Sequence, residues 1–532
     1  MAFAQLQSLF QSNVFASSLS WKVLLSGLCV ALVYLLGTNL RSYWRLSHIP
    51  GPFFAAVTNV QRMLWVKSNR AHVIHLDLHR KYGPIVRFGP NMISVADPKE
   101  IGTIYSFKKP WPKSDFYRAL LLKTSRKPVE GIFATQNEAI HHQLKRPIAN
   151  IYSMTYLLSF EPYVDTALKV FTEQIDKRFA SKAPQDSAIK SKENICDLSQ
   201  WLQMLAFDVM GELTFSHRFG FMESGSDIDG AMNDLWNNSQ RTAIVTQMPW
   251  LEPIYTNNPL QRWLRGGGTS PGVRFAQKRI AERRAMAKGD LKKEWTVNNR
   301  DFLSRFMEVE ANESVPPYAL MVWTGSNITA GSDSTAIFLR AFFYHLLHNP
   351  RTLDKLLEEL DGKAREGKLD TPAKFKQVYE LPYFNACFQE TARMHPALGL
   401  PMERVVPEEG VMLCGRYIPG RTVVGMSSWV THRDNETFGQ DCDGWRPERW
   451  LECGPEEKRR MEKGLLTFGH GHRDCIGKNI AFLEIYKIAP TLLRTYEFEL
   501  LDPSEGGDWR VYNRWFVTQK GFKVRVKRRA VA

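Results

Sequence analysis

Apolar residues return at helical spacing through most of the chain. The stretches 163–180, 198–213, 318–348, 353–364 and 382–394 are predicted as helices on that basis. Strand-like alternation is rarer. Residues 85–95, IVRFGPNMISV, carry two β-rich runs around Gly89-Pro90-Asn91 and predict a hairpin. Further short strands are predicted at 411–418, 421–424 and 522–526, and the polar run 182–194 predicts a surface loop. No internal repeat interrupts this order, so the expectation is one large, mainly α domain with a minor β part.

The amino terminus follows a different pattern. Residues 1–21 hold no charged side chain, Lys22 stands alone, and 23–40 reads VLLSGLCVALVYLLGTNL, an uncharged run about long enough to span a bilayer. A cleaved secretory signal would begin with charge and have a shorter apolar core. Here Arg41 and Arg45 follow the run, which places the rest of the chain in the cytoplasm. The expected organisation is a short lumenal segment at 1–22, a transmembrane signal anchor at 23–40, a basic and proline-rich hinge at 41–52, and the body at 53–532. Four N-x-S/T sequons, at Asn237, Asn312, Asn327 and Asn435, then fall on the cytoplasmic side and are expected to be chance matches.

The formal charge of +15 is spread along the 532 residues, which suits an acidic protein partner or a lipid surface better than nucleic acid. Seven cysteines, at 29, 196, 387, 414, 442, 453 and 475, form no C-x-x-C pair. That arrangement argues against a disulfide framework and against a zinc module.

One cysteine stands in a special setting, Phe468-Gly469-His470-Gly471-His472-Arg473-Asp474-Cys475-Ile476-Gly477. Gly471 and Gly477 permit a tight turn and close approach of a flat ligand. A helix starting after Cys475 aims its free N–H groups at the sulfur, which is expected to lower the thiol pKa. Arg473 adds a permanent cation suited to bidentate pairing. A thiolate so placed can bind iron and push electron density onto it, which favours O–O cleavage.

The complete pattern F-x-x-G-x-R-x-C-x-G resembles the signature of the cytochrome P450 family, and Ala481 fits it too. The resemblance implies haem b with Cys475 as axial ligand, and contacts to the haem from Phe468, Gly471, Arg473 and Gly477. Other motifs follow in the family's order. Glu390 and Arg393, one turn apart on a helix, match a buried pair that Arg449 of Pro447-Glu448-Arg449 completes as a structural triad. Arg404 matches an arginine that binds a haem propionate. His141 and Lys145 match a helical pair with the same role, where the family more often has Trp and Arg. Ala330-Gly331-Ser332-Asp333-Ser334-Thr335 matches the mid-helix segment that forms an oxygen-binding groove. Its acid is Asp333 and its alcohol Ser334, where threonine is commoner; Thr335, the neighbouring hydroxyl, completes the catalytic set. A glycine inside a helix costs about 1 kcal/mol against alanine, and that groove would justify Gly331.

The resemblance spans essentially the whole chain and is nearest to fungal members, the pisatin-demethylase-like group of secondary-metabolism enzymes. It implies a monooxygenase acting on an apolar substrate at the endoplasmic reticulum membrane. Electrons would come from NADPH through NADPH–cytochrome P450 reductase, with cytochrome b5 as a second donor, because the chain has no G-x-G-x-x-G fingerprint of its own. The alternatives are a reductase-independent haem-thiolate isomerase or dehydratase, and a non-catalytic haem- or lipid-binding protein. The substrate pocket is expected from 108–133, 237–263, 322–336, 397–402 and around Trp515-Phe516.

Overall fold

The computed structural model describes residues 40–123, 128–180, 194–252, 271–288, 300–505 and 507–530, with positions 23, 25–27, 29, 30, 33, 37 and 38. The main helices, in chain order, are α1 (Glu138–Lys145), α2 (Glu161–Arg178), α3 (Leu198–Phe215), α4 (Ala231–Thr246), α5 (Ala319–Ser326), α6 (Ser332–His348), α7 (Pro350–Arg365), α8 (Pro382–Met394) and α9 (Lys478–Thr495). Local chemistry sets their ends. Asn137 Oδ1 accepts from Ala139 N at 2.9 Å to cap α1, and Asp197 Oδ1 accepts from Gln200 N at 3.2 Å to cap α3. Proline occupies the first turn of α7 and α8, where its missing N–H costs nothing.

Helix α3 is buried on nearly every face. It lies along α6, and α2, α8 and α9 close the same apolar core around Phe171, Leu205, Phe342, Phe388 and Leu492. An all-round apolar helix is stable only inside such a sandwich. The helix predicted at 318–348 is present but not uniform. Between α5 and α6 the turn Asn327–Gly331 is a π-helix, an arrangement found mostly at functional sites.

The β part is a set of small sheets. Strands β1 (Ile85–Gly89) and β2 (Met92–Val95) form the predicted hairpin, with Ile85 opposite Val95. β3 is Ile195–Asp197, β4 Arg404–Val405, β5 Val411–Leu413, β6 Arg416–Ile418 and β7 Val423–Gly425. Strand β7 joins β2 in parallel and β4 antiparallel, which fixes Arg404 beside the body's first sheet. The strand region expected at 411–418 is a hairpin of β5 and β6. Its turn places Cys414 and Gly415 at φ 49° and 72°, the left-handed pair that a two-residue hairpin loop needs. Strands β8 (Tyr496–Leu500), β9 (Arg510–Arg514) and β10 (Phe516–Lys520) were not expected. β11 (Lys523–Arg528) contains most of the strand predicted at 522–526 and pairs with β8 and β3. Of the predicted loop 182–194, only Asn194 lies within the described residues.

Residues 1–22 and part of 23–40 lie outside the described residues. The described positions of 23–40 are helical, and Val23, Leu25, Val30, Val33 and Leu40 are exposed. Among the described residues no helix is long and apolar enough to cross a membrane. The expected hinge at 41–52 is held against the body. Leu46 and Ile49 are buried, Arg45 donates to Gly420 O at 3.1 Å, and the buried Arg87 donates to Ser42 O and Tyr43 O at 2.9 and 3.0 Å.

Candidate active site

The cysteine loop is shaped by its backbone. Cys475 N–H donates to Phe468 O at 2.8 Å, closing the loop just before α9. Gly471 has φ 77°, and a Cβ there would lie 2.2 Å from Tyr105 O. Its glycine is therefore required by the turn, as the sequence suggested, and by a neighbouring backbone as well. Gly477 differs: a Cβ there would meet only Cys475 Sγ, at 3.9 Å, so approach from that side is open.

The Cys475 side chain is reachable by solvent yet surrounded by enough protein that burial raises its thiol pKa. The two observations together place it in an interior cleft. The Gly477 N–H, Lys145 and Lys478 act in the opposite direction, and Asp474 reinforces the rise. The expected lowering of this pKa is thus corrected: desolvation outweighs the helix terminus. A metal cation on the sulfur would displace the proton outright.

The middle of the α5–α6 helix supplies a second accessible strip. Ser326, Thr329 and Ala330 are exposed and Gly331 and Ser334 half-buried, while 322–325, 332–333 and 335–343 are buried. That spacing is one helical face. Ser334 Oγ donates to Ala330 O at 2.7 Å, which keeps the hydroxyl on this face with its oxygen free to accept. Asp333 turns the other way, accepting from Gln203 Nε2 of α3 at 2.7 Å. Burial pushes its carboxyl up to about 6, against the opposing pull of Arg340 and Gln203. Thr335 is corrected from the catalytic set. Its hydroxyl is buried and donates to Glu484 Oε2 of α9 at 2.7 Å, a bond between helices. Burial pushes Glu484 up to about 8, so it is a neutral acid at pH 7. Gly331 also has a packing reason, since a Cβ there would come within 2.9 Å of Met210 Sδ on α3.

A buried cationic cluster forms a third part. Arg404 and Lys113 are 5% and 4% exposed. Arg404 donates to Tyr117 Oη at 3.3 Å, and Lys113 donates to Phe133 O between the Tyr117 and Phe133 rings. Arg473 pairs with Glu138, its Nη2 2.8 Å from Oε1. Burial, then Arg404 and Arg473, depress Lys113 well below the usual lysine range. Arg404 and Arg473, with the buried Lys113 amine as a further donor, form a site for anionic groups beside the half-buried Glu138. His141 lies at its edge and is neutral, its pKa lowered to about 3 by burial and then by Arg473. Lys145 is occupied otherwise than the resemblance implied. Its Nζ donates to His472 O and Asp474 Oδ1, both at 2.9 Å, and so braces the cysteine loop.

The predicted triad is present and fully enclosed. Arg393 reaches Glu390 with two hydrogen bonds of 2.9 and 2.7 Å, Arg449 Nε adds one of 3.0 Å, and Trp450 Nε1 one of 2.9 Å. Burial alone would raise Glu390; the guanidinium groups hold it below the usual carboxylate range.

The family model for cytochrome P450 matches residues 50–524. The chain belongs to the cytochrome P450 family. A cytochrome P450 monooxygenase of Aspergillus terreus is 58% identical over 463 residues, covering 87% of this chain and 92% of its own length. Cytochrome P450 monooxygenase cicH of Emericella nidulans is 46% identical over 505 residues, covering 94% and 97%. Cytochrome P450 monooxygenase asR2 of Sarocladium schorii is 43% identical over 500 residues, covering 92% and 94%. The protein is accordingly a haem-thiolate monooxygenase.

The residues present fit a P450 haem. Cys475 Sγ is an accessible thiol, Gly477 leaves room beside it, and Arg404, Arg473 and Lys113 can hold two carboxylates. Lys113 and Glu138 belong to no motif, and only the fold brings them to Arg404 and Arg473. Arg404→Leu is expected to speed haem transfer to apomyoglobin by about tenfold, one lost charge-assisted bond. Lys145→Leu should change it less, because that ammonium serves the loop.

Proposed function

We propose that this P450 inserts one oxygen atom of O2 into an apolar small molecule of fungal secondary metabolism, by hydroxylation, epoxidation or demethylation. Electrons would reach it from NADPH–cytochrome P450 reductase. Bound haem supplies the electron-accepting and oxygen-activating chemistry; the chain supplies the ligand, the pocket and the proton path. The observation that carries this reading is Ser334 on the accessible face beside the π turn, with the buried acid Asp333 directly behind it. An isomerase or dehydratase has no use for such a pair. Phe133 is exposed and packs on the buried rings of Tyr117 and Trp515, with centroids 5.6 and 5.8 Å away, an apolar surface suited to an apolar ligand.

The test uses the compound that accumulates in a host lacking this gene, with purified reductase. Ser334→Ala is expected to keep consuming NADPH while product per NADPH falls by about tenfold or more and hydrogen peroxide rises. Ser334→Thr should keep product formation. Thr335→Ala should stay coupled, since that hydroxyl faces Glu484. Uncoupling by Thr335→Ala alone would sink the assignment. Lack of NADPH use by the unaltered enzyme would sink the monooxygenase reaction itself.

The reading includes a signal anchor at 23–40 holding the protein on the endoplasmic reticulum membrane. Removing 1–40 is expected to shift a substantial part of the protein from membrane pellet to supernatant with haem still bound. Loss of haem on truncation would contradict an independent anchor.

A further inference from the structure

Asp333 does not meet Arg340 directly. Arg340, about two turns along the same helix, donates from Nη2 to Gln203 Oε1 at 2.6 Å and from Nε to Ser199 O at 2.7 Å. Gln203 then donates from Nε2 to Asp333 Oδ1 at 2.7 Å. A side-chain amide can accept from a guanidinium at one atom and donate to a carboxylate at the other without carrying charge. The two partners also settle which way the amide points, since the flipped form would set NH2 against guanidinium and oxygen against carboxylate. Asp333 and Arg340 are buried and Gln203 half-buried between them. Arg340 is the charged group that acts on Asp333, Asp197 acts on Arg340 from beyond it, and Arg340 in turn lowers Lys520.

The spacing matters because of what its alternatives would do. A direct ion pair in this setting would hold the acid ionised, and burial with no cation nearby would keep it protonated. We infer that Gln203 is a positioning residue for proton delivery: its amide fixes the Asp333 carboxyl and keeps it one side chain away from Arg340, so that the acid is not locked into a direct ion pair. This rests on the reading of Asp333 as the proton-delivering acid.

Infrared difference spectra of the holoenzyme across a pH titration read the carboxyl directly. The protonated-carboxyl band lost in Asp333→Asn belongs to Asp333, and its midpoint is expected at about 6. Gln203→Met removes the N–H donor and should raise that midpoint by about half a pH unit. Gln203→Glu adds a like charge and should raise it by about one unit or more, read against Asp333→Asn/Gln203→Glu to subtract the new carboxyl. Haem content and Soret position should stay as in the unaltered enzyme. Midpoints unmoved in both variants would overturn the inference, as would an unaltered midpoint in the range of a solvated aspartate. The relay is judged separately. If Asp333→Asn leaves product and peroxide per NADPH unchanged, Asp333 delivers no proton, whatever Gln203 does to its titration.

Discussion

Cys475→Ser is expected to abolish the long-wavelength Soret band that reduced, carbon-monoxide-treated haem-thiolate protein gives, while Cys442→Ser and Cys453→Ser retain it. The reason is placement. Cys475 Sγ is solvent-reachable inside the body, with the Gly477 N–H directed at it. Cys442 is buried elsewhere, its Sγ donating to Asn435 Oδ1 at 2.9 Å. Cys196 and Cys387 are enclosed, and burial raises their thiols well above the ordinary value. Serine keeps the size of cysteine and removes the soft anionic ligand, so the fold should survive while the spectral signature goes. Persistence of the band in Cys475→Ser would overturn the ligand assignment.

The second large effect is on stability. Glu390→Ala is expected to cost about 3–5 kcal/mol, the range for breaking a buried ion pair by removing one partner. Glu390 accepts from Arg393, Arg449 and Trp450, and its loss leaves two guanidinium groups enclosed without that anion. Glu390 keeps both hydrogen bonds from Arg393 and the one from Trp450 when Arg449 is replaced, so Arg449→Met should cost less. Denaturant midpoints, with haem content after purification, measure both. The pH dependence has a definite sign. A carboxylate held below its unfolded pKa contributes stability above that value and loses it as pH falls through the folded pKa. The difference between native and Glu390→Ala protein should therefore be constant near neutrality and shrink only in acid. A variant as stable as the unaltered chain at pH 7 would remove the triad's structural role.

How much of this was legible depends on how far apart the interacting residues are in sequence. The helices at 382–394 and 198–213 were visible because apolar spacing and flanking proline or acid act within one or two turns. Strands β9 and β10 escaped because their sequence, RVYNRWFVTQK, alternates weakly, and their pairing is justified by burial against the rest of the body. The loop at Cys475 was legible because its turn, cation and ligand lie within ten consecutive positions. Lys113 and Gln203 were not, because each acts through a partner hundreds or scores of residues away.

By itself the sequence determined that one cysteine sits in a turn before a helix, that an acid and an alcohol adjoin in the middle of a long helix, and that Glu390 and Arg393 share a helical face. These are short-range facts of spacing and backbone preference. Only the tertiary structure decided which hydroxyl faces the accessible strip and which bonds to Glu484, because a step of about 100° per residue sends adjacent side chains to different neighbours. It also decided that Lys145 braces the loop and that burial, not the helix terminus, dominates the Cys475 thiol. Desolvation depends on everything packed around a group, and no stretch of chain carries that sum.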